Sequence, residues 1–540
     1  MLGLYAVVIV ACFATSYGAF AQAVDLSVKA TEKAVKRADE INNAANTKQT
    51  GPEVITSPLN RRELPPRGGP TVLLQSVSFS PESAFLSVEE LDAIVSKYKG
   101  KRIDFSQISE LVRDVNDLYA AKGVVTAAAI LPPQNLSLGQ LSVTLVEGQV
   151  GTVAVVGDHR TKSSFVLNRV RFAKGTTVDV PTATKDIVWF NKNNQAQVRM
   201  LLEPGARFGL TNLRFGITEP KKNQLQFFVD NEGTYSTGEM QASGVYRRYG
   251  LLGLDDTLLL YLTTSEGSTA GTVRYDIPVT KYGTRLTFSQ TGSMIDVANG
   301  PSAVLNISGS STSTSVSLSQ PLVANNKWSL MLDVVGFRGL SRSSSGVTTL
   351  VDSDTSKIAS GVTFGFTGKR LSFSTHFQKI FATVKDRILA TKTDVNIMYS
   401  TMQGSYKLDN GYMLTGNAVW QATSSKLLPG NLLFQIGGPT TVRGYPSDGV
   451  AGDQGYYANF EMKHSIQMKN MSFDGYVFAD IGEVRSTFPA RTRMASVGFG
   501  LSKEVLKGTR LEASIAFPVI NAVTNQSNAE LSISLSKTLF

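Results

Sequence analysis

The side chains best suited to chemistry are few and scattered. The three histidines, His159, His376 and His464, have no metal-ligand spacing among them, so each is expected to be a solvated residue or one lining a polar interior. No Gly-x-Ser-x-Gly elbow presents a nucleophile, and no Walker loop cradles a nucleotide phosphate. Asp255 and Asp256 stand at a strand start, where carboxylates cap turns more readily than they do acid-base work. These residues predict no enzyme, no metal and no cofactor. Two other stretches stand out. The first, Gly437-Gly438-Pro439-Thr440-Thr441-Val442-Arg443-Gly444-Tyr445, sets an arginine in a glycine-rich loop, and the second, Phe478-Ala479-Asp480-Ile481-Gly482, sets a carboxylate at the end of a strand.

The elements that must position these stretches follow from composition. Hydrophobic residues make up 42% and charged residues 18%, yet no run beyond the start is apolar over the length, about 20 residues, that a helix needs to cross a bilayer. A helical membrane protein is excluded. Residues 1–21 read as a signal peptide ending in Ala19-Phe20-Ala21, the small-x-small pattern that signal peptidase accepts. The alternative is a lipoprotein, with Ile9-Val10-Ala11-Cys12 as a degenerate lipid-attachment box. Cys12 is the only cysteine, so a chain beginning at Gln22 forms no disulfide. The net charge of +10 comes without a dense basic helix or a basic run interleaved with aromatics, so no nucleic-acid partner is expected. Exposed loops, a wet lumen or an anionic lipid surface account for it.

Residues 22–46 predict a polar helix with Ala30, Ala34, Ala38, Ile41 and Ala45 on one narrow stripe, and the prolines and Gly68-Gly69 of 47–70 predict an extended linker. Residues 71–147 read as strand 72–79, helices 87–97 and 106–122, and strands 124–131 and 140–146, with Ser87 and Glu90 placed to form a capping box. A second α+β unit, 148–220, follows with strand 152–156, helix 183–191 and strands 197–202 and 212–218. From 221 to 540 the pattern becomes segments of about ten residues that alternate apolar and polar side chains between turn residues, as a transmembrane antiparallel β-barrel with a greasy outside and a watery bore requires. About sixteen strands are expected. Tyr246, Tyr249, Tyr275, Phe366, Phe373 and Tyr476 are expected to form interface girdles, 423–454 a long inward loop, and Phe540 a terminal assembly signal. Because Leu531, Ile533, Leu535 and Leu539 share a face opposite to Phe540, a bulge near Lys537 is anticipated.

With these motifs in place the chain resembles the two-partner secretion transporters of the outer membrane, which secrete haemolysins, haemagglutinins and adhesins. The resemblance implies that the Val442-Arg443-Gly444-Tyr445 loop folds back into the barrel and that Arg443 pairs with Asp480 of the Phe478-x-Asp480-x-Gly482 strand. A guanidinium offers a planar fork of donors that a carboxylate accepts in bidentate fashion, and lysine does not reproduce it. Pro132, Pro133, Gln134, Glu147 and Gly148 resemble the first polypeptide-transport-associated (POTRA) domain of this family, and Pro204 and Gly205 resemble the close of the second. Asp230, Asn231 and Gly233 match the first barrel hairpin, and the helix from Val24 matches the segment that lodges in the lumen of many members.

The implied function is ATP-independent secretion of an unfolded exoprotein, whether adhesin, cytolysin, haem scavenger or toxin. Outer-membrane lipid or lipopolysaccharide and the barrel-assembly machinery would be further partners. Two alternatives stay open. An insertase or autotransporter-assembly factor would open between its first and last strands and usually carry three or more periplasmic units. A passive or gated nutrient porin would lack periplasmic repeats.

Overall fold

The computed structural model describes residues 54–55, 65–468, 471–486, 490–523 and 526–540. The expected signal peptide, the 22–46 helix and most of the linker lie outside the described residues. Two compact units divide the chain, one covering Lys48–Pro220 and the other holding Lys221–Phe540.

In the first half of Lys48–Pro220, helices α1 (Val88–Val95) and α2 (Phe105–Ala121) share a core with a sheet in which Ser76–Ser80 runs parallel to Gln140–Glu147 and Ala127–Ile130 antiparallel to it. Both helices begin in a capping box. Ser87 with Glu90 starts α1, and Asp104 with Gln107 starts α2, so two orphan amides are satisfied at each N-terminus. Ile108, Leu111, Val115 and Tyr119 fall on one face of α2 at helical spacing and close over Leu141, Val143 and Leu145. The second half pairs α3 (Ser163–Leu167) and α4 (Val180–Asn193) with a four-stranded sheet, ordered Val54–Ile55, Gln197–Pro204, Leu210–Thr218, Gln149–Val156. Phe165 of α3 meets Phe190 of α4 edge to face, with centroids 6.0 Å apart. At five residues, α3 is too short to display a period, which is why the pattern of side chains did not disclose it.

The second unit is a closed antiparallel barrel. Its strands are β1 (Asn223–Asp230), β2 (Gln241–Tyr249), β3 (Thr257–Ser265), β4 (Ser268–Pro278), β5 (Arg285–Asp296), β6 (Ile307–Ala324), β7 (Trp328–Ser345) and β8 (Thr348–Thr367). They continue with β9 (Leu371–Asp386), β10 (Thr391–Lys407), β11 (Met413–Thr423), β12 (Gln454–Met468), β13 (Met471–Arg485), β14 (Thr492–Leu506), β15 (Thr509–Pro518) and β16 (Glu530–Thr538). All sixteen expected strands are present, and the even count returns both ends of the barrel segment to one rim.

Period-two alternation sets the two faces. Phe227, Leu262, Val334, Val477, Phe499 and Ile533 stand exposed on the outside, while Thr291, Ser293, Ser311, Ser400 and Ser496 are buried. Leaving one large apolar side chain in water forgoes roughly 1.5–3 kcal/mol, so an outer face of this composition calls for lipid. β7 and β8 run to 18 and 20 residues, well past the expected segments of about ten. Their outer ends carry Arg338, Asp354 and Lys357, so the apolar alternation fades there while the backbone ladder continues.

Two expectations are corrected. Tyr249 and Tyr476 are buried instead of joining a girdle: the Tyr249 hydroxyl donates to Asp255 at 2.8 Å and that of Tyr476 to Glu512 at 3.1 Å. No bulge forms near Lys537, because β16 keeps one register against both β15 and β1. The apolar face of β16 meets lipid up to Leu539, and Phe540 follows half exposed where the ladder ends, its carbonyl accepting from Leu225 N at 3.4 Å.

Candidate functional site

The chain leaves β11 at Thr423 and re-enters the wall at Gln454, and the segment between folds inward. Asp453 anchors its base, accepting from the amides of Leu427 and Leu428, and Leu428 and Leu432 pack on Val384, Val395 and Ile397 of the inner wall. A short hairpin, Phe434–Ile436 with Val450–Gly452, stiffens the loop and presents its tip.

At that tip Arg443 makes the densest polar contact of the loop. Nε donates to Asp480 Oδ2 at 2.7 Å, Nη2 to Oδ1 at 2.7 Å, and the backbone amide to Oδ2 at 3.1 Å. Nη1 donates to Glu461 Oε1 at 2.7 Å, and the guanidinium carbon lies 3.5 Å from the centroid of the Phe478 ring. The Asp480 carboxylate is fully buried, so each of its oxygens depends on this one arginine. Neighbouring residues seat the tip. Val442 is buried against Gly482, where a Cβ would come within 2.9 Å of Val442 Cγ2. Gly444 turns the chain at φ +85°, a region that side chains with a Cβ rarely adopt. The Tyr445 hydroxyl lies 2.8 Å from the carbonyls of both Ala495 and Ile520 and accepts from Ala495 N at 3.1 Å.

The tertiary structure thus brings Val442, Arg443, Gly444 and Tyr445 together with Phe478, Asp480 and Gly482. Glu461, the second carboxylate on Arg443, was missed. Its signal was present: on β12 the exposed Phe460 and Met462 alternate with it, which turns Glu461 inward, directly opposite Phe478.

The other motif residues occupy separate places. Asp230 accepts from Glu232 N at 3.0 Å and Gln241 Nε2 at 2.6 Å, holding the first hairpin. Asn231 clasps the barrel seam: Nδ2 donates to Leu531 O at 2.7 Å and Oδ1 accepts from Ile533 N at 2.8 Å. At Gly233 a Cβ would collide with Gly238 O at 2.2 Å.

In the α+β unit, Glu147 accepts from Ser83 Oγ at 2.5 Å, Tyr119 OH at 2.9 Å and Ala84 N at 3.1 Å, tying the end of its strand to α2 and to the segment ahead of α1. The Gln134 amide bonds both backbone groups of Ser142 at 2.7 Å and so continues the ladder past Pro132 and Pro133. Gly148 passes between the halves where a Cβ would lie 2.8 Å from Thr126 O and from Thr211 Oγ1. After Pro204, Gly205 turns the hairpin and donates to Leu210 O at 2.8 Å. Among the described residues no group of three or more His, Cys, Asp or Glu is placed to hold a metal.

Glu219 was also missed. It accepts from Thr161 Oγ1 at 2.6 Å, Thr161 N at 2.7 Å and Arg160 N at 3.0 Å. Burial works to raise its pKa, but the bonds from Thr161 and Arg160 prevail and hold it below the ordinary value. A carboxyl depressed in the folded state contributes stability above its unfolded value of about 4.3, and that share is lost as pH falls through the lower folded value. A fragment of residues 65–220 is therefore expected to unfold at lower urea concentration at pH 3 than at pH 7. Glu219→Gln should narrow that gap in a circular-dichroism titration, and an unaltered gap would remove Glu219 from the account.

A family described as haemolysin secretion/activation protein ShlB/FhaC/HecB matches residues 209–503, and the ShlB-type POTRA domain matches 72–148. Over 482 residues the chain is 23% identical to the heme/hemopexin transporter protein HuxB of Haemophilus influenzae, covering 83% of this chain and 84% of that one. The solved structure of CdiB from Escherichia coli superposes with a TM-score of 0.66 at 15% identity, over 97% of this chain and 99% of that one. BamA from Haemophilus ducreyi, lacking its POTRA domains 1–3, shares the fold with a TM-score of 0.55 at 14% identity, over 87% of this chain and 100% of that one. Because the first of these matches spans more than half of the chain and takes in most of the barrel and the inward loop, the chain belongs to the ShlB/FhaC/HecB family of outer-membrane two-partner secretion transporters.

Proposed function

We propose that the chain recognises an unfolded exoprotein in the periplasm through its two α+β domains and passes it outward through the barrel. The observation that supports this reading most directly is the inward loop tip seated on the barrel wall through Val442, Arg443 and Tyr445, a contact placed to govern whether the lumen is obstructed. The exported chain is an adhesin, cytolysin, haem scavenger or toxin with its own signal peptide. Its folding outside biases the movement forward, so no nucleotide is needed. Recognition is by strand addition, in which backbone amides supply affinity with little demand on sequence. Val54–Ile55 pairs parallel with Met200 and Leu201, so an edge of the second sheet already accepts an extended segment of this same chain.

An insertase would part the seam between β1 and β16. Here that seam carries a continuous ladder from Gln226↔Thr538 to Asp230↔Ser534 with the Asn231 clasp beyond it, and parting it would leave those groups unpaired in lipid. Phe540 serves as the address read by the barrel-assembly machinery, and the outer face contacts lipopolysaccharide.

Residues 22–46 are assigned to the lumen as a plug, since a polar, small-faced helix suits a wet bore better than lipid. Their deletion is expected to raise single-channel conductance in planar bilayers several-fold. Equal conductance of full-length and shortened protein would sink the plug assignment.

A further inference from the structure

At the outer ends of β13 and β14, three arginines converge on one carboxylate. Glu483 Oε1 accepts from Arg485 Nε at 2.7 Å, and Oε2 accepts from Arg491 Nη2 at 2.5 Å and Arg493 Nε at 3.0 Å. The Glu483 side chain is 3% exposed, whereas those of the arginines are 46–57% exposed. Another exposed cluster of the barrel balances: Arg338 and Arg387 share Asp352 and Asp354, two charges against two. Here one carboxylate faces three guanidiniums, which leaves an excess of two positive charges and several N–H donors without a partner among the described residues. Neutralising Glu483 needs one arginine, and the other two add mutual repulsion that a further anion would relieve.

The cluster also has a definite place relative to the membrane. Glu483 stands directly opposite Arg493, on the face of β13 that carries Val477 and Ile481 outward, while Val497, Phe499 and Leu501 line the same face of β14. From Arg493 down to Lys503, at about 3.3 Å per residue and a tilt of about 40°, β14 descends about 25 Å, the height of the apolar band of such a barrel. Arg485 and Arg493 therefore sit at the upper edge of that band, at the level of the outer-leaflet headgroups. Tyr456, the exposed cross-strand neighbour of Glu483 on β12, suits the same interface.

We propose that Arg485, Arg491 and Arg493 form a binding site for the phosphate of an anionic outer-leaflet glycolipid, with Glu483 splaying the guanidiniums so that their remaining donors converge on it. The forked donors match phosphate oxygens in the bidentate manner that lysine does not. The proposal rests on the outer-membrane reading and goes beyond it by naming residues.

The test uses the full chain in detergent. Native mass spectrometry is run with bisphosphorylated lipid A, with its fully dephosphorylated form and with inorganic phosphate as competitor. The wild type is expected to retain the bisphosphorylated lipid, and R485Q/R491Q/R493Q to bind it about tenfold or more weakly. The dephosphorylated lipid should bind both proteins equally weakly, and millimolar phosphate should compete poorly. R338Q/R387Q, in the balanced cluster, should bind as the wild type does. Equal binding by wild type and triple variant, an equal loss in R338Q/R387Q, or full displacement by inorganic phosphate would each overturn the site. Heat-modifiable migration on gels, expected for all variants, reports separately on whether the barrel itself has formed.

Discussion

Arg443→Ala is expected to abolish secretion of the partner while the barrel still inserts and migrates as a folded, heat-modifiable species. The substitution strips both oxygens of the fully buried Asp480 of their guanidinium donors, leaves Oδ2 only the backbone amide of position 443, and leaves Glu461 without its 2.7 Å partner. Removing one member of a buried ion pair typically costs about 3–5 kcal/mol, because the remaining charge is left desolvated and unpaired. That is enough to loosen the loop tip at Arg443, although Val442 and Tyr445 still pack against the wall. It is small against the ladders that close the barrel, so assembly should persist. Arg443→Lys keeps the charge but cannot span Asp480 and Glu461 with one planar group, so it should secrete at a small fraction of the wild-type level. Secretion by the alanine variant at the wild-type rate, in cells with equal barrel content, would show that the clamp is not needed for transport.

Gly482→Val is expected to have nearly as large an effect, without touching a charge. Its Cβ would come 2.9 Å from Val442 Cγ2, 3.2 Å from Tyr456 O and 3.3 Å from Tyr457 Cβ. Val442 is β-branched and fully buried, with no free rotamer to retreat to, and a backbone carbonyl cannot move without disturbing the ladder. Overpacking of this kind costs about 1–3 kcal/mol, and the strain is relieved most easily by lifting the loop tip off the wall. Secretion should fall by more than tenfold, and limited proteolysis should cut the 424–453 segment faster. Val442→Ala removes the colliding methyl groups, so V442A/G482V should recover part of the lost secretion. If the double variant secretes no better than Gly482→Val, contact between the tip and β13 is not what the glycine preserves.

Much of this architecture is legible in the sequence. Alternation with period two, broken by turn residues, disclosed all sixteen barrel strands, because one face of each must meet lipid and the other water. The capping box at Ser87 was readable because its two partners lie one helical turn apart. The same pattern at Asp104 and Gln107 was equally local and went unread. The spacing of Phe478, Asp480 and Gly482 put all three on one face of a strand.

The rest depended on which strand lies beside which, and in what register. The clasp between Asn231 and Leu531 joins residues 300 positions apart, and no local pattern encodes it. Glu461 became a partner of Arg443 only because the register of β12 against β13 sets it opposite Phe478. Tyr249 and Tyr476 resemble girdle residues by type and position, yet the hydroxyl of each donates to an acid outside its own strand, Asp255 for one and Glu512 for the other. Local periodicity alone determined the strands, their two faces and the kind of solvent each meets, since every residue senses that environment separately. Only closure of the barrel decided the ion clusters, the seam and the seat of the loop, because a charge is satisfied by whatever the fold brings within about 3 Å of it, however distant in sequence.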